Sequence, residues 1–256
     1  MNNQKFDRGV GLIYKYHKSN HCSPKSWRLM LKTICASTEI ELSKWITEKP
    51  VKKNQPIAIF SSCQRFGKGQ AGRIWHAPKG GVWVSAAINR EDSSENNSQL
   101  YGLAVALALV ERIERIGVNV NIKWPNDLLV DGQKLAGILP RLFFRGGKLR
   151  LLRVGVGLNV FNNVPKKGIS LKQIVGDKKM NINFWSSEVL IAIERSLDFL
   201  DNKNLLCSRV EERLWSRKYI DKETGKQWDI KGIDSIGRLT LYKEGEKSLP
   251  TQISMS

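Results

Sequence analysis

The sequence lacks the features of membrane and secreted proteins. Its apolar stretches, such as Leu103–Val110, are far shorter than the ~20 residues that a transmembrane helix needs. The chain opens without the charged, apolar and small-residue pattern of a signal peptide. Its four cysteines show no CxxC or metal-finger spacing. We therefore predict a reduced, cytoplasmic protein with incidental thiols and no metal site of its own.

Acidic residues are scarce. The 256 residues include 24 Asp and Glu against 42 Lys and Arg, which gives a formal net charge of +18. A field of this sign attracts polyanions such as nucleic acid, nucleotides or an acidic protein. A general bias of composition toward solubility would give the same excess, so the charge indicates partners and says nothing about the fold.

The length favours one large domain with a small appendage. Residues 1–32 carry seven Lys or Arg and one acid. They form a basic N-terminal arm, in which Leu12–Tyr16 and Trp27–Leu31 are interpreted as strands or as a loosely docked segment. This arm is too short for a winged helix-turn-helix, which needs about three helices. Residues 33–215 are predicted to form the main domain, and residues 216–256 a small β-rich domain.

The main domain alternates strand and helix patterns, but it also contains a hairpin signal at Asp131-Gly132. We therefore predict an α/β (α+β) fold with a mixed β-sheet packed with helices. Apolar runs predict the strands Ile57–Ser61, Val82–Ile88 and Leu149–Val160, and helical spacing predicts the helices Leu100–Ile116, Phe184–Leu200 and Leu205–Trp215. Ser37 has the character of an N-cap that opens a further short helix.

The segment Gln64–Trp75 is rich in glycine. Gly67, Gly69 and Gly72 match the G-x-G-x-x-G spacing of dinucleotide-binding proteins, which requires a helix directly afterwards. Residues 76–81 (His-Ala-Pro-Lys-Gly-Gly) cannot begin a helix, so that interpretation fails. A loop with Lys68 and Arg73 that closes over an anion remains, with a purely structural surface turn as the alternative.

Three further segments concentrate recognition groups. Lys123–Asp127 (Lys-Trp-Pro-Asn-Asp) contains an indole, a rigid proline, an amide and a carboxylate in succession. The amide of Asn126 can both donate and accept a hydrogen bond, as recognition of the adenine edge requires. Lys134–Leu139 begins with a lysine that can act as a point charge on a carboxylate or phosphate. Val154–Asn159 is a strand whose glycines leave room for a ligand. The alternatives are a capped turn for the first segment and a solvated lysine for the second.

In this order and spacing the four segments resemble the biotin protein ligase family, in the short form without an N-terminal DNA-binding domain. The family's loop is close to Gly-Arg-Gly-Arg-x-Gly-Arg-x-Trp. It is followed by Lys-Trp-Pro-Asn-Asp, by Arg-Lys-Leu-Ala-Gly-Ile-Leu and by Gly-x-Gly-x-Asn. The similarity covers about Ser37 to Asn159.

The resemblance implies a fold related to class II aminoacyl-tRNA synthetases, with a small SH3-like C-terminal domain. It also implies a two-step ATP-dependent ligase reaction. Biotin and ATP, with Mg²⁺, form biotinyl-5′-AMP, and a lysine of a biotin carboxyl carrier protein, such as that of acetyl-CoA carboxylase, then receives the biotinyl group. The chain would be a monomer or homodimer without specific DNA or a membrane as partner.

By position, the resemblance makes Lys68, Arg73 and Lys134 the catalytic cations, which would stabilise charge on the reacting phosphate. The residues that it implies for binding biotin and ATP are Ser37, Thr38, Glu39, Gln64, Gly67, Lys68, Gly69, Gln70, Trp75, Asn126, Asp127, Lys134, Gly137, Gly155, Gly157 and Asn159. Among them, Ser37, Thr38 and Gln64 would address the ureido end of biotin, and Asn126 and Asn159 would face adenine.

The sequence departs from the family pattern at several positions. Gln70, with Ala71 beside it, stands where the family loop has its second arginine, and Lys68 replaces the first. Glu39 stands where Ser-Thr-Asn is usual, and the tail lacks the usual glycine-glutamate, so the SH3-like domain is expected to be incomplete. Fewer arginines in the loop predict weaker retention of the adenylate.

Other classes remain as alternatives. Lipoate protein ligases share the fold and the chemistry, but their Arg-Arg-x-x-Gly-Gly-Gly segment is absent. A non-catalytic biotin-binding regulator could use the same fold. A basic nucleic-acid-binding protein would agree with the charge, although the tryptophans are scattered and not interleaved with cations.

Overall fold

The structure is a computed structural model that describes residues 9–52, 55–90, 98–145, 148–176, 180–221, 224–242 and 251–253. Residues 1–8 of the predicted arm and residues 243–250 and 254–256 of the predicted C-terminal domain lie outside this range. The helices are α1 (Val10–Asn20), α2 (Thr38–Glu48), α3 (Ser98–Glu114), α4 (Leu171–Val175), α5 (Ile182–Asp201) and α6 (Lys203–Glu212).

A mixed sheet forms the centre of the molecule. Its strands are β1 (Arg28–Cys35), β2 (Ile57–Lys68), β3 (Ile74–Ala77), β4 (Val82–Asn89), β5 (Asn121–Lys123), β6 (Asp127–Val130), β7 (Gln133–Arg145) and β8 (Lys148–Leu158). They lie in the order β1-β2-β4-β8-β7-β6-β5, and β3 pairs with β2. Only the β1–β2 pair is parallel among the strand pairs described in this sheet. The predicted mixed sheet packed with helices is confirmed.

The two faces of the sheet are covered unequally. One face packs against α3 and α5, whose apolar side chains form the main hydrophobic core with the inner residues of β4, β7 and β8. On the other face, Leu42 of α2 packs against Ile57 and Ile59 of β2. Successive strand side chains point to opposite faces, so Leu152, Val154 and Val156 face the main core. Arg153, Gly155 and Gly157 therefore face the α2 side.

The N-terminal segment differs from the prediction. Leu12–Tyr16 lies inside α1 and is not a strand, and the segment is not loosely docked. Ile13 and His17 are four residues apart, which brings both to one helix face, and both are buried. The main-chain N–H of Gly9 also donates to Asn183 Oδ1 at 2.8 Å. Trp27–Leu31 leads into β1, so the predicted boundary after residue 32 falls within a strand of the main sheet.

The hairpin predicted at Asp131-Gly132 is present between β6 and β7. Both residues have positive φ, +48° and +76°, as the favoured two-residue hairpin turn requires. The interpretation of Ser37 as an N-cap is also confirmed, because its side chain accepts from Glu39 N at the start of α2.

A second, smaller sheet follows α6. Its strands are β9 (Lys218–Ile220), β10 (Gln227–Ile233), β11 (Leu239–Tyr242) and β12 (Thr251–Ile253), in the order β12-β11-β10-β9 and all antiparallel. Leu239 and Leu241 are buried against the main core. The predicted β-rich C-terminal unit is therefore present. No helix in the described residues has both the length and the apolar character needed to cross a bilayer.

Candidate active site

A cavity of about 140 Å³ lies at the ends of β2, β7 and β8, beneath β3 and beside the start of α2. It is lined by every residue that the sequence predicted for the site except Gly67 and Asn159. Four segments, residues 37–39, 64–75, 126–137 and 155–157, thus meet around one space. The structure also adds Ser85 and several apolar residues to the lining.

One end of the cavity carries a hydrogen-bonded polar cluster. The main-chain N–H of Thr38 donates to Gln64 Oε1 at 2.8 Å, and Thr38 Oγ1 lies 3.2 Å from the same oxygen. Thr38 Oγ1 also lies 2.8 Å from Ser85 Oγ. Because Gln64 Oε1 is used in these contacts, the Nε2 group is the remaining hydrogen-bond donor of its side chain. This end of the cavity can therefore recognise a small polar ring.

Glu39 joins this cluster and is paired with a residue that the sequence did not predict. Arg153 Nη2 lies 2.6 Å from Glu39 Oε1, 3.2 Å from Glu39 O and 2.9 Å from Ser43 Oγ. Both charged side chains are less than a tenth exposed. Burial lowers the pKa of the Arg153 guanidinium, and the charge of Glu39 opposes this shift. The chain thus places a buried ion pair beside the cavity.

Trp75 covers the middle of the cavity. Gly137 and Gly157 are register partners on neighbouring strands, so they lie side by side on one face. A Cβ atom added to Gly137 would come within 2.9 Å of the Trp75 ring, and one added to Gly157 within 2.5 Å. Trp83 is the register partner of Gly157 on β4, and its ring packs edge to face against the Trp75 ring, with 6.2 Å between the ring centroids. Two glycines therefore create the space that the indole occupies.

Lys134 stands at the other end of the cavity. Its Nζ lies 2.6 Å from Asp127 Oδ1 and 4.8 Å from the centroid of the Trp75 ring. About a third of its side chain is exposed. The lysine is therefore a half-buried cation, held by a carboxylate and an aromatic face and able to approach a ligand in the cavity.

The glycine-rich loop forms the exposed edge of the site. It continues from β2 into a short 3-10 turn at Gln70–Gly72 and then into β3, so the prediction that no α-helix follows it is confirmed. Arg73 closes the turn by donating through its N–H and its Nε to Gln70 O, at 3.0 and 3.2 Å. Ala71 has φ +50°, a conformation that favours glycine. Lys68 and Arg73 are both exposed and can reach an anion in the cavity.

The two asparagines that were expected at adenine are placed differently. Asn126 follows the cis peptide Trp124–Pro125 and lines the cavity, where its Nδ2 donates to Ile138 O at 2.6 Å and its Oδ1 remains as an acceptor. Asn159 is buried outside the lining. It donates to Lys134 O at 3.1 Å and accepts from Asn162 Nδ2 at 3.0 Å. In this structure Asn159 therefore fixes the main chain that carries Lys134.

A larger groove of about 810 Å³ adjoins the cavity and shares Gln70, Arg73, Asn126 and Asp127 with it. Its other wall is formed by β9 and the residues before it, including the half-exposed Trp215. Trp124 of the first wall donates through Nε1 to the carbonyl of Gly237, in the turn between β10 and β11, at 2.9 Å. The small sheet thus helps to shape the approach to the cavity.

The described part of the chain contains no group of three or more His, Cys, Asp or Glu side chains that could hold a metal ion. The cavity offers Asp127 and Glu39 as carboxylates, and each of them is paired with a cation. Such a donor set suits a Mg²⁺ ion that arrives already bound to substrate phosphates, since Mg²⁺ usually binds few protein carboxylates.

Comparison with known proteins agrees with this geometry. Residues 41–159 match the model of the Biotin/lipoate A/B protein ligase family. The Bifunctional ligase/repressor BirA of Bacillus subtilis is 36% identical over 129 residues, which cover 47% of this chain and 39% of that protein. The protein of the same name from Salmonella typhimurium is 30% identical over 203 residues, 73% of this chain and 62% of that one. The chain thus spans less than two thirds of the length of these relatives.

Solved structures show the same fold. The biotin protein ligase from Aquifex aeolicus in complex with biotin and ATP superposes with a TM-score of 0.70 at 21% identity, covering 88% of this chain and 95% of that one. The biotin acetyl coenzyme A carboxylase synthetase from Helicobacter pylori, with bound biotinylated ATP, gives a TM-score of 0.63 at 21% identity over 90% of this chain and all of that one. Residues 41–159 thus match the biotin/lipoate A/B protein ligase family, and the fold is similar to that of biotin protein ligases.

Proposed function

We propose that the chain is a biotin protein ligase, which activates biotin with ATP and transfers it to a lysine of a biotin carboxyl carrier protein. One observation carries this proposal. The polar cluster of Thr38, Gln64 and Ser85 and the cation Lys134 line the same cavity, with Trp75 between them. A ligand with a polar ring at one end and a carboxylate at the other fits this arrangement.

In the first step a carboxylate oxygen of biotin attacks the α-phosphorus of ATP, and the bond to the pyrophosphate leaving group breaks. The two reactants are both anions, so their approach needs positive charge around them. Lys134 would hold the biotin carboxylate and the α-phosphate together. Lys68 and Arg73, at the exposed edge, would offset charge on the phosphates.

In the second step the neutral amine of the carrier lysine attacks the acyl carbon of biotinyl-5′-AMP. AMP leaves with the electron pair of the broken bond, and the new amide loses a proton. Because the carrier supplies the nucleophile, the protein contributes mainly by positioning the reactants and by excluding water from the mixed anhydride. The loop that carries Lys68 and Arg73 would shield that intermediate.

The nucleotide would extend from Lys134 toward the larger groove. Asn126 would address adenine, since its Oδ1 can accept from an exocyclic amine. Asp127 would assist a Mg²⁺ ion that enters with ATP and neutralises part of the phosphate charge.

The decisive experiment is biotin-dependent exchange of pyrophosphate into ATP, measured for the wild-type chain and for Lys134→Ala. We expect exchange in the wild type and a loss of about 100-fold or more in the variant. Lys15→Ala is a matched control, because Lys15 is exposed on α1, away from the cavity. An absence of exchange in the wild-type chain, at saturating biotin and ATP, contradicts the proposal.

The same assays separate the alternatives. A non-catalytic regulator would bind biotin without pyrophosphate exchange. A nucleic-acid-binding protein would bind generic DNA in a salt-dependent way and show no response to biotin. Transfer of labelled biotin to a purified carrier domain tests the second step and the partner.

A further inference from the structure

Glu39 has an unusual environment for a carboxylate. The residue is 7% exposed and lines the cavity. Its Oε1 is engaged by Arg153, but its Oε2 is buried without a hydrogen-bond partner among the described residues. A buried carboxylate oxygen that lacks a donor is unfavourable, because no hydrogen bond offsets its loss of water. The unused lone pairs of Oε2 therefore point to a donor that the ligand brings.

Arg153 determines where this oxygen lies. It is on β8, two residues before Gly155 and on the same face, but it does not line the cavity itself. From there Nη2 reaches both Oε1 and the main-chain carbonyl of Glu39, so side chain and main chain are fixed by one group. The guanidinium also lies 4.8 Å from the Phe143 ring, which holds it in place. Arg153 is thus suited to position Glu39.

The cluster around Glu39 offers complementary hydrogen-bonding groups. Gln64 has Nε2 as a donor, and Glu39 has Oε2 as an acceptor. A cyclic urea presents a carbonyl acceptor with an N–H donor on each side. We propose that Glu39 is a specificity-determining residue that accepts a ring N–H of biotin through Oε2, and that Arg153 positions it. This inference rests on the proposed function.

A carboxylate in this role has a consequence that a neutral amide would not have. It has no hydrogen to donate, so its Oε2 needs an N–H from the ring. In a cyclic carbamate analogue of biotin, one ring N–H is replaced by an oxygen that cannot donate, and this oxygen would leave Oε2 buried without a donor. A glutamine at position 39 could turn its NH2 group toward the same oxygen and donate to it.

The test is calorimetric titration of the full chain with biotin and with its two cyclic carbamate analogues, in each of which oxygen replaces one ring N–H. For the wild type we expect at least one analogue to bind about tenfold or more weakly than biotin. Glu39→Gln should reduce the ratio of the affinities for biotin and that analogue about tenfold. Arg153→Gln should move the ratio of the two affinities in the same direction, whereas a merely structural loss would weaken both ligands equally.

Glu188→Gln is the matched control. It makes the same change in another buried ion pair, with Arg112, outside the cavity, and should leave the ratio unchanged. If Glu39→Gln binds both ligands with the wild-type ratio, the inference is wrong while the proposed function stands. It is also wrong if the wild type binds both carbamate analogues as tightly as biotin, a result that needs no folded variant. If the wild type does not bind biotin, both proposals fail.

Discussion

The indole of Trp75 lies so close to Gly157 that a Cβ at position 157 would meet three of its ring atoms at 2.5–2.6 Å. Gly155, two residues earlier on the same strand, has ordinary contacts, the nearest of which would be 3.4 Å from an added Cβ. The two glycines thus differ in what they allow. Gly157 makes room for the ring that covers the cavity, whereas at position 155 a methyl group would fit.

This contrast predicts that Gly157→Ala lowers the free energy of unfolding by about 1–3 kcal/mol, because an overfilled site must shift the indole or the strand. Gly155→Ala should change it by less than about 0.5 kcal/mol. Urea unfolding followed by tryptophan fluorescence measures both. Equal losses in the two variants would show that the Trp75 contact does not limit position 157.

The parts of the site that could be predicted from the sequence are those carried by local motifs. The glycine-rich loop, Lys123–Asp127 and Lys134 stand in short segments whose residue types are unusual by themselves. Ser85 and Arg153 gave no such signal, because each is a polar residue of a common type within a largely apolar strand. Their place depends on the pairing of β2, β4 and β8, which sets Ser85 beside Ile59 and Gly155. That pairing is a property of the whole sheet.

The fold shows the same division. The hairpin at Asp131-Gly132 follows from two residues that tolerate positive φ, so local sequence was sufficient. Leu12–Tyr16 was interpreted as a strand or a loose arm, because a short apolar run has no decisive period. It is helical because the face that carries Ile13 and His17 packs against α5, which lies about 170 residues away in sequence. Tertiary packing decided that element.

The contact between α1 and α5 predicts a dependence of stability on pH. Glu194 is buried, which alone would raise its pKa, but hydrogen bonds from His17 and Trp27, the charge of His17 and the main-chain N–H of Lys25 together lower it. His17 Nε2 lies 2.7 Å from Glu194 Oε1. A carboxylate with a lowered pKa stabilises the fold above its unfolded pKa, and this contribution is lost as the pH falls through the folded value.

We therefore expect Glu194→Gln to be less stable than the wild type by about 1–3 kcal/mol at neutral pH. The difference should shrink as the pH falls below the unfolded pKa of a glutamate, about 4.3. Urea unfolding at a series of pH values measures this. A difference that grows as the pH falls below about 4.3 would contradict the assigned direction of the pKa shift.

The excess of positive charge predicts how the chain meets its carrier. If the carrier domain is acidic, attraction across the solvent speeds their encounter, and salt screens this attraction. The second-order rate of carrier biotinylation should therefore fall by about tenfold or more between low and high ionic strength. Pyrophosphate exchange at saturating substrates is the control, since it involves no protein partner and should change much less. A flat salt profile of the transfer rate would rule out steering by charge.

The loop predicts how well the intermediate is retained. Gln70 lines both the cavity and the groove, and it closes the turn with Arg73 through its main-chain carbonyl, which a substitution of the side chain retains. An arginine at this position would add a cation at the phosphate end, where a charge-assisted contact contributes about 1.5–3 kcal/mol.

Gln70→Arg should therefore slow the release of biotinyl-5′-AMP by about tenfold or more, while leaving the affinity for biotin itself nearly unchanged. To measure release, the enzyme first forms labelled adenylate, and an excess of unlabelled biotin and ATP is then added. The label that remains bound to protein is followed over time by filter binding. Gln173→Arg, at an exposed position on α4 outside the cavity, controls for the added charge. Because that residue forms a capping box with Ser170, the stability of the control variant is checked by thermal unfolding. Equal release rates for the wild type and Gln70→Arg would show that the missing arginine does not limit retention.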